Sequence, residues 1–190
     1  MMAAFVPDLA RLALECEPEG LTLKNSGRIA AEVAKIFAVH PEDVGILRVE
    51  NDCLVFAHPH KLHNVGRIPL NSSSAAAVRT VTSKHPEIMN NFIRTRHATF
   101  FEMVDVRDPA MESKSTESNP AVADKNKAKK KEEQIIQKMM SAPVIGEGKV
   151  AGVIQVCHKG SSAAASGPDF TPADLQKLTV IASTVARCFK

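Results

Sequence analysis

The chain has 190 residues, with 24 Lys and Arg against 21 Asp and Glu, for a formal net charge of +3. A chain of this length makes one domain with a proper core. The aromatic complement of eight Phe, with no Trp or Tyr, argues against binding single-stranded nucleic acid through stacked bases. No apolar run approaches the length of a membrane span, and the first residues lack the basic leader of a signal peptide.

Residues 3–16 read as a short helix with Phe5, Leu9, Leu12 and Leu14 on its apolar side, ended by Pro18-Glu19-Gly20. A second helix is expected over Gly27–Val39, with a stripe of Ile29, Val33, Ile36 and Phe37 and with Asn25 or Ser26 as its cap. Val44–Val49 and Cys53–Ala57 are apolar runs separated by Glu50-Asn51-Asp52, the pattern of a hairpin. His58–Asn64 reads as a solvated loop. Gly66–Leu70 is a short strand that Pro69 confines to an edge or an end. Ser72-Ser73-Ser74 would cap a helix from Ala75 to Lys84, halted by His85-Pro86, and a further helix is expected over Ile93–Val104.

The composition then changes. Residues 108–134 are rich in Ser, Asn, Glu and Lys, with Lys125, Lys127 and Lys129–Lys131 crowded together. Such a segment cannot bury enough apolar surface to offset its ordering entropy, so it reads as a mobile polar insertion. Ala142–Ile145 and Val150–Val156 flank Gly146-Glu147-Gly148-Lys149 as paired strands. The last helix starts at Thr171-Pro172-Ala173-Asp174: Thr171 caps it, Pro172 suits the first helical position and Asp174 supplies the returning carboxylate. Leu175, Leu178, Ile181, Val185 and Cys188 follow at helical spacing.

This order resembles a GAF domain over residues 21–190, with residues 1–20 as an N-terminal helical extension. Gly66-Arg67-Ile68-Pro69-Leu70, Ser141-Ala142-Pro143-Val144, Gly152–Val156 and the pair Phe170 and Asp174 carry the likeness, with the insertion at 108–134 as its departure. The resemblance implies an α/β (α+β) fold: a central antiparallel sheet with the first and last helices on one face, and a ligand pocket on the other under the helices of residues 72–105. It also implies a regulatory module that binds a small molecule or a partner protein, or that dimerises. With the GAF unit accounting for the chain, a second protein would be needed to pass on a signal.

Cys157-His158 resembles a bilin-attaching pair but ends a strand, so Cys157 reads as a small apolar residue. His58, His60 and His63 could share a metal with Cys53, but Pro59 and Lys61 interrupt any helical face, and no metal site is expected. A free methionine sulfoxide reductase would need clustered pocket cysteines. Asn64-Val65 stands where one is expected, so the chain reads as no enzyme. Arg94, His97 and Phe101 fall at helical spacing where the resemblance places the pocket cover; a cation, an imidazole and a ring there would hold a flat anionic ligand. The cysteines at 16, 53, 157 and 188 form no zinc pattern, and a reducing, cytoplasmic setting follows by default. The expectation is thus a non-enzymatic sensory module in signal transduction, a homodimer through its terminal helices, with no membrane or nucleic-acid partner and a ligand of unknown identity. The rivals are a structural dimerisation or scaffold domain with a filled pocket and, behind it, a small redox enzyme of the free methionine sulfoxide reductase type.

Overall fold

In the computed structural model, the structure describes residues 6–92, apart from 65 and 73, and residues 135–190. The helix expected over 93–104, the polar insertion, and Arg94, His97 and Phe101 lie outside the described residues.

Six antiparallel strands form one sheet in the order β3-β2-β1-β6-β5-β4. They are β1 (Val44–Glu50), β2 (Cys53–His58), β3 (Arg67–Pro69), β4 (Glu87–Met89), β5 (Ile135–Gly146) and β6 (Lys149–Gly160). Among the described residues there are four α-helices: α1 (Val6–Cys16), α2 (Leu23–Phe37), α3 (Ala76–Ser83) and α4 (Pro172–Val185). The fold is α+β, as expected. β3 is an edge strand that ends on Pro69. β4, unforeseen in the sequence, is the opposite edge and pairs with β5 through Ile88↔Met140.

Two tight reversals set the sheet. Asn51 and Asp52 have φ of 48° and 59°, and Glu147 and Gly148 have φ of 50° and 77°. Consecutive left-handed residues match the right-handed twist of a hairpin, and Asn, Asp and Gly tolerate them best. The resulting β5–β6 ladder runs from Ile135↔Gly160 to Gly146↔Lys149, longer than the apolar runs alone suggest.

Alternation along the strands sends side chains to two cores. One holds Val44, Ile46, Met140, Ala142, Val144, Ile154 and Val156 against α1, α2 and α4. The other holds Leu47, Leu54, Phe56, Met139, Val153 and Cys157 against α3. In α4, Leu178, Ile181 and Val185 are buried as their spacing predicts. Its capping box is complete: Asp174 N donates to Thr171 Oγ1 at 3.2 Å and Thr171 N donates to Asp174 Oδ2 at 3.0 Å.

Three details differ from the sequence reading. Helix α2 begins four residues early, because Thr22 rather than Asn25 or Ser26 caps it, accepting from Asn25 N at 3.2 Å. Asn25 and Ser26 are instead buried ties: Asn25 Nδ2 donates to Gly20 O at 3.0 Å, and Ser26 Oγ lies 2.8 Å from Ala57 O. Helix α3 starts after Ala75, with no side-chain cap from the serines. On the apolar side of α1, Leu9 and Leu12 are buried within the chain itself, which removes them from any dimer seam, whereas Leu14 is 56% exposed.

Gly152 marks the tightest approach in the first core. A Cβ there would overlap Leu47 O and come within 2.5 Å of the Phe189 ring. We expect Gly152→Ala to destabilise the domain by about 1–3 kcal/mol or more, the range for overpacking, read as a lowered urea midpoint. An unchanged midpoint would show that Phe189 swings away freely.

Candidate ligand site on the α3 face

The second face carries polar groups in an otherwise apolar interior. Thr80 on α3, Ser141 on β5 and Gln155 on β6 are all buried. Gln155 Nε2 lies 3.4 Å from Ser141 Oγ, Ser141 Oγ 2.7 Å from Thr80 Oγ1, and Thr80 Oγ1 3.3 Å from Glu87 Oε1. Gln155 Nε2 can only donate, so the chain runs from Gln155 to Ser141 to Thr80, and the single Thr80 hydroxyl proton is shared between Ala76 O at 3.1 Å and Glu87 Oε1. Glu87 also accepts from Arg79 Nη2 at 3.2 Å. This half-exposed ion pair ends the relay at the rim of the face. Met139, Val153 and Cys157 supply the apolar surround. Beside it Phe92 is fixed by its N–H, which donates to Gln137 O at 2.9 Å.

Sequence reasoning did not pick out this relay. The available signal was a polar residue inside a buried apolar run: Ser141 within MMSAPV and Gln155 within VIQVC. A buried polar group implies a partner.

The histidine segment departs from the expected solvated loop. His58 ends β2, is buried, and donates from Nε2 to Pro41 O at 3.0 Å. His60 Nε2 lies 3.4 Å from Ser26 Oγ, and His63 Nδ1 donates to Phe56 O at 2.7 Å. The three rings thus have three different hydrogen-bond partners, with His58 and His60 edge to face and their centroids 5.4 Å apart. Among the described residues no group of three His, Cys, Asp or Glu could hold a metal ion.

Cys157 and His158 part to opposite sides of β6. Cys157 is buried on the α3 face, whereas His158 stacks on Phe170 with centroids 4.1 Å apart. Burial pushes the His158 imidazole below its ordinary value, against the raising effect of its hydrogen bond to Pro168 O. Cys16 and Cys188 lie buried in the terminal-helix layer. Burial pushes the Cys188 thiol up to about 11, which disfavours its thiolate. No disulfide joins the described cysteines.

A six-stranded antiparallel sheet with the terminal helices on one face and a short helix on the other defines a compact α+β class of domain. The GAF domain family model matches residues 27–189, and the chain belongs to that family. Among solved structures it is similar to the GAF domain of a phosphoenolpyruvate-protein phosphotransferase from Acinetobacter, with 15% identity, 99% of this chain and 94% of that chain covered, and a TM-score of 0.58. It is also similar to the free methionine-R-sulfoxide reductase of Neisseria meningitidis in complex with its substrate, with 14% identity, 97% and 85% coverage, and a TM-score of 0.58. A third likeness is to the nlh2 GAF domain of A. aeolicus in an inactive state, with 11% identity, 100% and 98% coverage, and a TM-score of 0.53. These likenesses are of fold. No curated protein matches the chain in sequence.

Two predictions follow from the buried polar groups. Ser141→Ala removes the middle of the relay and leaves the Gln155 amide without an acceptor. It should cost about 1–3 kcal/mol by urea denaturation, and combining it with Thr80→Val should cost less than the sum of the two. Strict additivity would show that the contacts are not energetically coupled.

The second concerns His58, which burial holds below the ordinary histidine value, with the Pro41 carbonyl and Glu42 opposing and His60 assisting. The unfolded chain takes up its proton near pH ~6.5. Below that value, down to the lowered folded value, the unfolded state holds more protons, so acidification favours unfolding. Stability from neutral His58 is therefore present above about pH 6.5 and is lost below it. His58→Gln, whose amide keeps a donor for Pro41 O, should flatten the fall in melting temperature between about pH 7.5 and 5.5. Parallel curves for the two proteins would assign the fall to other groups.

Proposed function

We propose that this chain is a non-enzymatic sensory or regulatory GAF module of the cytoplasm. It would take a small molecule on the α3 face and pass the signal to a partner protein. The observation that carries the reading is the buried relay of Gln155, Ser141 and Thr80, which ends on the Arg79–Glu87 pair. Such convergent polar groups in an apolar setting fix the orientation of a ligand. Arg94, His97 and Phe101 follow Phe92 closely in the chain and would add a cation, an imidazole and a ring. Among the described residues no helix is long and apolar enough to cross a membrane.

Self-association belongs to the same proposal. With Leu9 and Leu12 buried, a homodimer through the terminal helices would rest on Leu14, 56% exposed, and Val180, 42% exposed. A reductase reading has one feature in its favour, the Cys157 thiol on the α3 face.

Native mass spectrometry of freshly purified protein, followed by a thermal-shift screen of nucleotides, amino acids and tetrapyrroles, tests the reading. A hit should raise the melting temperature, and Gln155→Leu should weaken that hit by about tenfold or more, the loss of a hydrogen bond made in a buried site. A hit indifferent to Gln155→Leu would place the ligand elsewhere. Turnover of free methionine sulfoxide with a thiol reductant, abolished by Cys157→Ser, would replace the sensor by the enzyme.

A further inference from the structure

The terminal-helix face of the sheet carries a second polar feature, near the β2–β3 edge. Arg48 pairs with Val55, and Val55 with Arg67, across β1, β2 and β3. Directly paired residues project to the same face, so the two arginines flank Val55 in one row, two strand spacings or roughly 10 Å apart at the backbone. Glu50, two residues beyond Arg48, shares that face. It ion-pairs closely with Arg48 and at 4.0 Å with Arg67. One carboxylate serves two guanidiniums, and neither arginine has another carboxylate partner among the described residues. The row therefore keeps one positive charge unbalanced.

Two cavities open over this row, of about 360 and about 340 Å3, and Arg48, Val55 and His63 line both. Together they form one cleft, walled by Leu21 and Leu23 at one end and by Asn64 and Arg67 at the other. Glu19 and Lys190 also border it with opposite charges that leave the balance unchanged: Glu19 accepts from Asn25 Nδ2 at 3.3 Å, and Lys190 Nζ lies 3.5 Å from Glu17. His63 sits where the cavities join. Its Nδ1 lies 2.7 Å from Phe56 O. A carbonyl oxygen only accepts, so the ring proton is on Nδ1, and Nε2 is the nitrogen left for the cleft.

We propose that this cleft binds a phosphate monoester carrying an apolar body. Its phosphate oxygens would accept from Arg48 and Arg67, which present planar donors suited to that group. A phosphate monoester loses its second proton at about pH 6, so its monoanion keeps an O–H that can donate to His63 Nε2 while its other oxygens face the arginines. One hydrogen bond forms whichever side holds that proton. A carboxylate titrates well below this range and lacks the shared proton. The apolar body would lie on Val55, Leu21 and Leu23. The inference is independent of the ligand proposed for the α3 face, because it concerns the other side of the sheet.

The probe is phenyl phosphate, titrated into the 15N-labelled full chain and followed by NMR, with benzoate and inorganic phosphate as comparison arms. Saturable shifts should centre on residues of β1, β2 and the His63–Arg67 loop, with both comparison anions binding more weakly. His63→Asn keeps a donor for Phe56 O but removes Nε2, and Arg67→Gln lies on an exposed edge; both should fold normally. Each should weaken phenyl phosphate by about tenfold, as expected for a hydrogen bond to a charged group. The proposal is overturned by the lack of saturable binding up to about 10 mM, the weak end of specific affinity. It is equally overturned by shifts confined to the α3 face, by benzoate binding as tightly as phenyl phosphate, or by affinity unchanged in both variants.

Discussion

β5 and β6 pair from Ile135↔Gly160 to Gly146↔Lys149, and β1 joins the other edge of β6 through Val44↔Val156 and Ile46↔Ile154. Strand side chains alternate, so this one ladder decides what each face of the molecule is made of. On β6 it sends Gly152, Ile154 and Val156 to the terminal helices, and Val153, Gln155 and Cys157 to α3. A register slip of one residue would put the Gln155 amide among Leu178 and Ile181, and Val156 against Ser141. The polar relay and the apolar seat of α4 are therefore one constraint seen from two sides.

Elements with strong local signals were legible in the sequence. Thr171, Pro172 and Asp174 specify the start of α4 through chemistry within four residues, and they behave as expected. The two hairpins are likewise local. The failures share a different cause. Asn25 and Ser26 are good caps by propensity, but Gly20 O and Ala57 O compete for their side chains. Ala57 is remote in sequence, so a local rule could not foresee it. β4 has only Glu87–Met89, too short to show alternation, and exists because β5 offers it an edge. The α3-face site was legible only as a location, through family resemblance. Thr80, Ser141 and Gln155 come together from three separate elements, and periodicity carries no information on such meetings.

Buried charge is concentrated at one end of the sheet. Lys159 Nζ lies 3.3 Å from Asp43 Oδ1, with both side chains under a tenth exposed. Lys138, also buried, donates to Gly167 O at 2.5 Å and meets Asp169 at 2.9 Å. A buried pair is weak evidence of stabilisation, since desolvation offsets its attraction, but losing one partner leaves an uncompensated charge. These contacts act as positional devices. Lys159 ties the end of β6 to the 3-10 turn at Pro41–Asp43. Lys138 holds the loop before α4, and that loop is held again by reciprocal bonds between Asn90 and the Phe170 backbone, at 3.0 and 2.9 Å. The entry to α4 is thereby fixed from β4, β5 and β6 together.

One irregularity links the histidine segment to both faces. The β1–β2 register jumps between Ile46↔His58 and Leu47↔Phe56, so Ala57 is an extra residue in β2. A bulge of this kind bends a strand and disturbs its ladder. It explains why His58 is not in solvent: opposite Ile46, it points toward the terminal-helix layer, where Pro41 O accepts the hydrogen bond from its Nε2. It also explains what the neighbouring rings and hydroxyls do. The carbonyls at the bulge take side-chain partners, Phe56 O from His63 Nδ1 and Ala57 O from Ser26 Oγ. Satisfying Phe56 O fixes the His63 ring, and the fixed ring directs Nε2 to the cleft that Arg48 and Arg67 floor. A single inserted residue thus buries one histidine and orients another, which is how a segment that reads as polar loop comes to organise the β2–β3 edge.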